Sequence, residues 1–358
     1  MAVAPSSSSE PAGGRFLAEI REQPLALLAL LEHEAEFARA AAAIRERPAP
    51  LIRMVGHGSS DNAASYGVYA FGLLPRWTAL RDSITLTVYF DSGPDLSGST
   101  VVALSQSGRT PDVVEYVERA RAAGALTLAI TNDPRSELAA RAEVVLPLAA
   151  GAEHAVAATK TYVNQLAALG LLAAHAAGRG REFAEELRTT AGLLATLVER
   201  LETRIPELAL PFAFVGRMFV IGRGPEFATA REIALKLLET CRIAAEPLTA
   251  TDLAHGPVAA LDPHFPVWTI ASEDDALPAV LEAAERARAA GATLVASGSA
   301  ASRVAGAEFV IPIPRAPSAL TAPLLSVVPG QLFAWAVARA KGLDPDRPNG
   351  LQKVTLAR

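Results

Sequence analysis

One eight-residue stretch of this chain occurs twice. Glu118 to Ala125 reads ERARAAGA, and Glu285 to Ala292 reads the same. Two further pairs keep the same order. Met54-Val55-Gly56-His57-Gly58 is answered by Val220-Ile221-Gly222-Arg223-Gly224. Ala142-Glu143-Val144-Val145-Leu146-Pro147-Leu148 is answered by Ala307-Glu308-Phe309-Val310-Ile311-Pro312-Ile313. The offset stays at about 166 residues throughout. A single match in an Ala- and Arg-rich chain could be compositional, but three in order at one offset point to duplication. A period this long is a whole domain rather than a solenoid unit. Whatever architecture one copy adopts, the other must share.

That architecture is read from the periodicity. Leu51 to Val55, Thr85 to Phe90, Thr100 to Leu104, Leu126 to Thr131, Val144 to Leu148 and Phe219 to Ile221 are short apolar or alternating runs, which predict strands. Between and after them lie helical patterns at about 61–73, from Pro111 onward, and at about 159–177, 182–204 and 226–241. Alternating strands and helices predict an α/β fold, here two tandem doubly wound parallel-sheet domains of flavodoxin-like type. Arg15 to Arg47 predicts a helical segment that breaks or restarts at Pro24. The expected layout is a disordered Ser/Pro/Gly-rich leader (1–14), an N-terminal helical segment (15–50), a first domain (51–204), a second domain (205–343) and a C-terminal tail (344–358).

Within the first copy, Thr100 to Val114 reads TVVALSQSGRTPDVV. The apolar run is a buried strand. Ser105-Gln106-Ser107-Gly108-Arg109-Thr110 is a polar loop, and Pro111 suits the first position of a helix. Thr110 stands at its N-cap and Asp112 in its first turn. A hydroxyl-rich loop that opens a helix gathers free N–H groups and hydroxyls, as a phosphate monoester requires. A capped turn that binds nothing has the same local pattern. The second copy carries Ala271-Ser272-Glu273-Asp274-Asp275-Ala276 at this place. Its three acids would repel a phosphate, so only the first copy is expected to bind one.

Composition excludes several classes. Net charge is −5 with acids and bases interspersed, and no basic stripe favours nucleic acid. The single Cys241 excludes a disulfide framework. No histidines stand at metal-ligand spacing, and no metal or cofactor is expected. No apolar run reaches the roughly 18 residues of a membrane span, and no signal-peptide core is present. The expectation is a cytoplasmic protein acting on a small molecule.

The remaining motifs resemble a known family. The two copies resemble SIS (sugar isomerase) domains, and the chain from about Phe16 onward resembles the isomerase half of the glucosamine-6-phosphate synthases. The resemblance rests on Glu19-Ile20-Arg21-Glu22-Gln23-Pro24, Gly58-Ser59-Ser60, Ser105 to Thr110, Gly151-Ala152-Glu153 with Thr159-Lys160, and Gly222-Arg223-Gly224. It continues through Ala234-Leu235-Lys236-Leu237-Leu238-Glu239, His255-Gly256-Pro257 and a Lys-bearing tail. The synthases' glutaminase nucleophile, a cysteine after the initiator Met, is not matched: residue 2 is Ala. Glutamine hydrolysis is therefore not expected, and stand-alone deaminases on the same scaffold are the nearer comparison.

The resemblance implies a phosphate and sugar site at Ser60, Ser105, Gln106, Ser107 and Thr110, with Glu153 and Lys160 lining the sugar. It implies Glu239 as the base that moves a proton between C1 and C2. Helical spacing puts Glu232, Lys236 and Glu239 on one face, and Lys236 would keep Glu239 ionised. His255 is implied to open the sugar ring from the neighbouring subunit of a homodimer, and Lys353 to meet the open-chain carbonyl. His33, His57, His154, His175 and His264 are read as structural or exposed.

Two departures stand out. Asp252 and Ala254 replace an acid and a lysine common before His-Gly-Pro, and the tail lacks the synthases' Arg-Asn-Leu run. The expected reaction is an isomerising deamination, D-glucosamine 6-phosphate plus water to D-fructose 6-phosphate plus ammonium. The alternatives are ammonia-dependent synthesis in the reverse direction, another sugar-phosphate isomerase or deglycase, and a non-catalytic sugar-phosphate sensor.

Overall fold

The computed structural model describes residues 12–90 and 93–353. Most of the expected leader, and residues 354–358 of the expected tail, lie outside these residues.

Three helices come first: α1 (Gly14–Arg21), α2 (Gln23–Leu31) and α3 (Glu34–Arg45). Pro24 falls at the start of α2, where its missing N–H costs nothing. The first copy then runs β1 (Leu51–Val55), α4 (Ser59–Leu73), β2 (Thr78–Arg81), β3 (Thr100–Ser105), α5 (Pro111–Ala122), β4 (Leu126–Thr131), α6 (Glu137–Arg141), β5 (Val144–Pro147) and α7 (Lys160–Ala176). The long α8 (Gly180–Ala209) leads to the second copy. That copy is β6 (Arg217–Gly222), α9 (Glu226–Cys241), β7 (Ala244–Thr249), β8 (Pro266–Ile270), α10 (Leu277–Ala289), β9 (Thr293–Gly298), β10 (Phe309–Pro312) and α11 (Ala322–Ala340).

Each copy forms a five-stranded sheet, with orders β2-β1-β3-β4-β5 and β7-β6-β8-β9-β10. All pairings are parallel. Counted from its own first strand, each copy has the order 2-1-3-4-5 of the flavodoxin-like doubly wound fold, as the duplication requires. The central strands β3, β4 and β8 are buried along their whole length, which explains their continuous apolar sequences.

The copies meet through equivalent helices. α4 packs on α9, α7 on α4, α11 on α9, and α11 on α7, within one apolar core that draws on both sheets. Two buried tyrosines cross the seam with satisfied hydroxyls. Tyr66 donates to the Leu320 carbonyl at 2.9 Å and Tyr162 to the Ala228 carbonyl at 3.1 Å.

Two expectations need correction. Thr85 to Phe90 is not a strand. Its core, Thr85–Tyr89, is one turn of π-helix, closed by the Phe90 N–H on the Thr85 carbonyl. The edge of β1 is taken instead by Thr78–Arg81, which pairs with it from Leu51–Thr78 to Met54–Arg81. Its neighbour Trp77 stacks on Phe71 of α4. With that edge filled, the 85–89 segment buries only Thr87. Its alternation reflects exposure, with Leu86 and Tyr89 outward. α8 also continues beyond Arg204 to Ala209, past Pro206.

The two ends of the described chain are tied together. Asp346 caps the N-terminus of α1, accepting from the N–H groups of Arg15 at 3.2 Å and Phe16 at 2.7 Å. Its own carbonyl accepts from Val156 N–H at 3.1 Å. This pins the tail segment beside the 151–158 loop.

Candidate active site

In a doubly wound sheet, ligands bind beyond the carboxyl ends of the strands where the strand order reverses. In the first copy that point lies between β1 and β3. A cavity of about 460 Å³ opens there, a size suited to a small ligand.

Its floor is the polar loop. Gly108 has φ +63°, and a Cβ there would lie 2.0 Å from Ser136 Oγ, so the turn requires glycine. Gly108 donates its N–H to Ser105 Oγ at 3.1 Å, and its carbonyl accepts from Leu138 N–H at 2.9 Å. These contacts hold the loop tightly around its hydroxyls. Thr110 sits at the N-cap of α5 in extended conformation, but its side chain makes no cap bond. The hydroxyl instead lies 3.4 Å from Ser105 Oγ, on the cavity wall. The expected capping role thus gives way to one that leaves the group available to a ligand. Ser60 enters from the first turn of α4, oriented by Gln165 Nε2 at 2.9 Å. The N-termini of α4 and α5 therefore border one cavity, an arrangement suited to an anion.

The opposite wall comes from the second copy. Lys236 of α9 is fully buried. Its ammonium lies 2.6 Å from Glu239 Oε2 and 3.3 Å from Glu232 Oε1. Glu232 also accepts from Ser59 Oγ and Asn62 Nδ2, both at 2.8 Å. Burial alone would push the Lys236 ammonium down, but the two carboxylates more than offset it and hold it raised. Burial likewise pushes the Glu232 carboxyl up, against Lys236 and Asn62. Glu239 keeps a partly exposed side chain on the cavity.

The tail supplies a third wall. Lys353 Nζ lies 2.6 Å from Glu153 Oε2 and 2.7 Å from the Ala155 carbonyl. Glu153 is buried and also accepts from Thr159 N–H, Thr161 N–H and Thr161 Oγ1. Desolvation pushes this carboxyl up, but Lys353 and those donors leave it below its ordinary value.

The structure therefore brings together Ser60, Ser105, Gln106, Ser107, Thr110, Glu153, Lys236, Glu239 and Lys353. It does not bring Lys160 to the cavity. That ammonium bonds to Glu22 and, at 2.6 Å, to the Ala152 carbonyl, and it lines a neighbouring groove. His255 is exposed, on a short 3-10 turn spanning Asp252–His255, and does not line the cavity of its own chain.

His57, read as structural or exposed, lines the cavity and pairs with Asp112 Oδ2 at 2.9 Å. Ser59, Asp112 and Gln165 also line it. For His57 the available signal was its place between Gly56 and Gly58, in the turn that follows β1.

Comparison with known proteins finds relatives for most of the chain. The SIS domain family model matches residues 47–175 and again 212–339. The glutamine–fructose-6-phosphate aminotransferase (isomerizing) of Corynebacterium glutamicum is 36% identical over 306 residues, covering 81% of this chain and 49% of that protein. The chain thus spans about half the length of such curated relatives. The C-terminal domain of glucosamine-fructose-6-phosphate aminotransferase from Francisella tularensis superposes with a TM-score of 0.86 at 27% identity, over 96% of this chain and all of that one. Glucosamine-6-phosphate deaminase from Thermotoga maritima shares the fold, with a TM-score of 0.72 at 21% identity over 96% of this chain and 100% of that one. With both family matches falling on the two halves of the duplication, the chain belongs to the SIS family, as a tandem pair of SIS domains related to the C-terminal domain of these aminotransferases.

Proposed function

We propose that this chain is a sugar-phosphate isomerase whose overall reaction is deamination: D-glucosamine 6-phosphate and water give D-fructose 6-phosphate and ammonium. One observation carries the proposal. An ionisable pair from the second copy, Glu239 with Lys236, forms the wall of a cavity floored by the first copy's hydroxyl loop.

Ser60, Ser105, Gln106, Ser107, Thr110 and the two helix N-termini hold the phosphate. Holding it fixes C1 and C2 against Glu239. After ring opening, the Glu239 carboxylate takes the C2 proton and returns it to C1. The C1 oxygen takes up a proton as the C2 amine gives one up, so C1 becomes a hydroxymethyl group and C2 an imine. Water adds at C2, ammonia leaves with a proton, and the ketone remains. Lys353 stabilises negative charge on the open-chain oxygen when it leaves Glu153. His255 opens the ring from a second copy of the chain, so a homodimer forms the working site.

Ammonia is released free in this scheme, and Cys241 has no part in it. The thiol is buried in α9 against the Ala334 carbonyl, and burial pushes it up to about 11. The test is ammonium release from glucosamine, galactosamine and fructosamine 6-phosphates. Release with formation of a ketose phosphate from one of them is expected. Tight binding of these compounds with no turnover would instead make the chain a sugar-phosphate sensor.

A further inference from the structure

The cavity has a charge problem. The acids on its wall are Asp112, Glu153 and Glu239 and the lysines are Lys236 and Lys353, three acids against two bases before any ligand enters. Both lysines are already engaged, Lys236 by Glu232 and Glu239 and Lys353 by Glu153. Arg109, on the loop itself, points to Asp133 at 3.6 Å, is largely exposed and is not part of the wall. Farther along α4, Asp61 is matched by Arg81 and Arg231. A phosphate dianion placed on the hydroxyl loop would thus meet neutral donors and helix N-termini, with Asp112 in the first turn of α5 beside it.

His57 is the remaining group on this wall able to change the balance. It follows β1 and faces the loop that follows β3. Its Nε2 is held by Asp112 Oδ2 at 2.9 Å, and Asp112 is itself nearly buried, with Oδ1 lacking any hydrogen-bond partner. A carboxylate on one nitrogen favours the proton there and leaves the other nitrogen to a ligand, and the half-exposed ring lines the cavity. Facing a dianion, that nitrogen is favoured as a donor, in an imidazolium that neutralises Asp112 and bonds the phosphate at once. We propose that His57, positioned by Asp112, is a phosphate-binding residue whose protonation is coupled to substrate binding. The inference rests on the phosphate reading of this cavity and deepens it.

The test measures binding rather than turnover, with fructose 6-phosphate and inorganic phosphate as probes. Calorimetry in two buffers of different ionisation enthalpy reports the protons taken up on binding. His57→Gln should weaken binding about tenfold at pH 6 and lower the proton uptake. His57→Arg should bind at pH 8 about tenfold more tightly than the wild type, since its charge does not depend on pH. The substrate's own phosphate titration is common to all variants and cancels. In Asp112→Asn the pH at which binding falls should lie below that of the wild type, because the imidazolium loses its carboxylate partner. If both His57 variants match the wild type in affinity and proton uptake at both pH values, this inference is overturned while the phosphate site stands. If the wild type binds neither probe, the proposed function fails first, and this inference with it.

Discussion

The same turn of the same fold appears twice in this molecule and is finished differently. Aligning Gly56 with Gly222 sets Ser60 opposite Glu226. In the first copy Ser60 Oγ accepts from Gln165 on α7 and lines an open cavity. In the second copy the Glu226 carboxylate is buried and already served. It accepts from Ser272 Oγ at 2.6 Å, from Ser326 Oγ on α11 at 2.7 Å and from Thr229 Oγ1 at 2.7 Å. Burial pushes this carboxyl up, and the three hydroxyls oppose the shift. On the proposed reading one copy takes an anion from solution, while the other fills the same place with a buried carboxyl of its own. The acids of the second loop reinforce the difference, with Asp274 facing its own backbone at Ala276 N–H. The second copy contributes α9, whose Lys236 and Glu239 line the first copy's cavity.

The sharpest way to break this division is through Glu239. Glu239→Gln keeps size and most hydrogen bonding but cannot accept a proton. kcat should fall about 10²–10⁴-fold while fructose 6-phosphate still binds. Mixed with His255→Ala under subunit exchange, it should regain about a quarter of wild-type activity, because each heterodimer carries one intact site. No recovery despite proven exchange would place both residues in one chain.

The next effect should appear in KM. Removing the loop hydroxyls in Ser105→Ala with Thr110→Ala deletes bonds to a charged group, each about 1.5–3 kcal/mol. KM should rise well over tenfold, about in line with those energies, with kcat less affected. Glu226→Ala is the matching change in the second copy. It strips the acceptor from three buried hydroxyls and should cost stability, about 1–3 kcal/mol, with KM unchanged. A rise in KM there would mean that the second loop binds substrate.

The smallest effect concerns the wall behind Lys353. Glu19 lies buried under the 154–155 backbone, accepting from His154 and Ala155 N–H groups. Burial pushes its carboxyl up to about 7, reinforced by Glu153 and opposed by those N–H groups and by Lys353. A carboxyl raised in the folded state favours folding while it is protonated. That contribution is complete below about pH 4.5 and is lost as pH rises through about 7. Melting curves across this range should show the wild type losing stability relative to Glu19→Gln toward pH 8. Parallel curves would contradict it.

Much of this was legible in the sequence because the signals are local. The buried strands, the loop Ser105 to Thr110 and the α9 face of Glu232, Lys236 and Glu239 each lie within a few residues, and the duplication shows as matching short runs at one offset. The rest depends on distant partners. His57 acquires its meaning from Asp112, 55 residues away, and Glu226 from Ser272 and Ser326 in other elements. Lys160 begins α7, but Glu22 of the N-terminal helices draws it away from the cavity. The edge strand Thr78–Arg81 has no pattern of its own and exists because β1 leaves a free edge.

The claim that one copy alone takes the phosphate is tested most directly by the stoichiometry of fructose 6-phosphate binding, measured by calorimetry on the full chain. The account predicts one site per chain, lost in Ser105→Ala with Thr110→Ala and kept in Glu273→Gln with Asp274→Asn. Two sites per chain, or loss of binding in the second-copy variant alone, would contradict it.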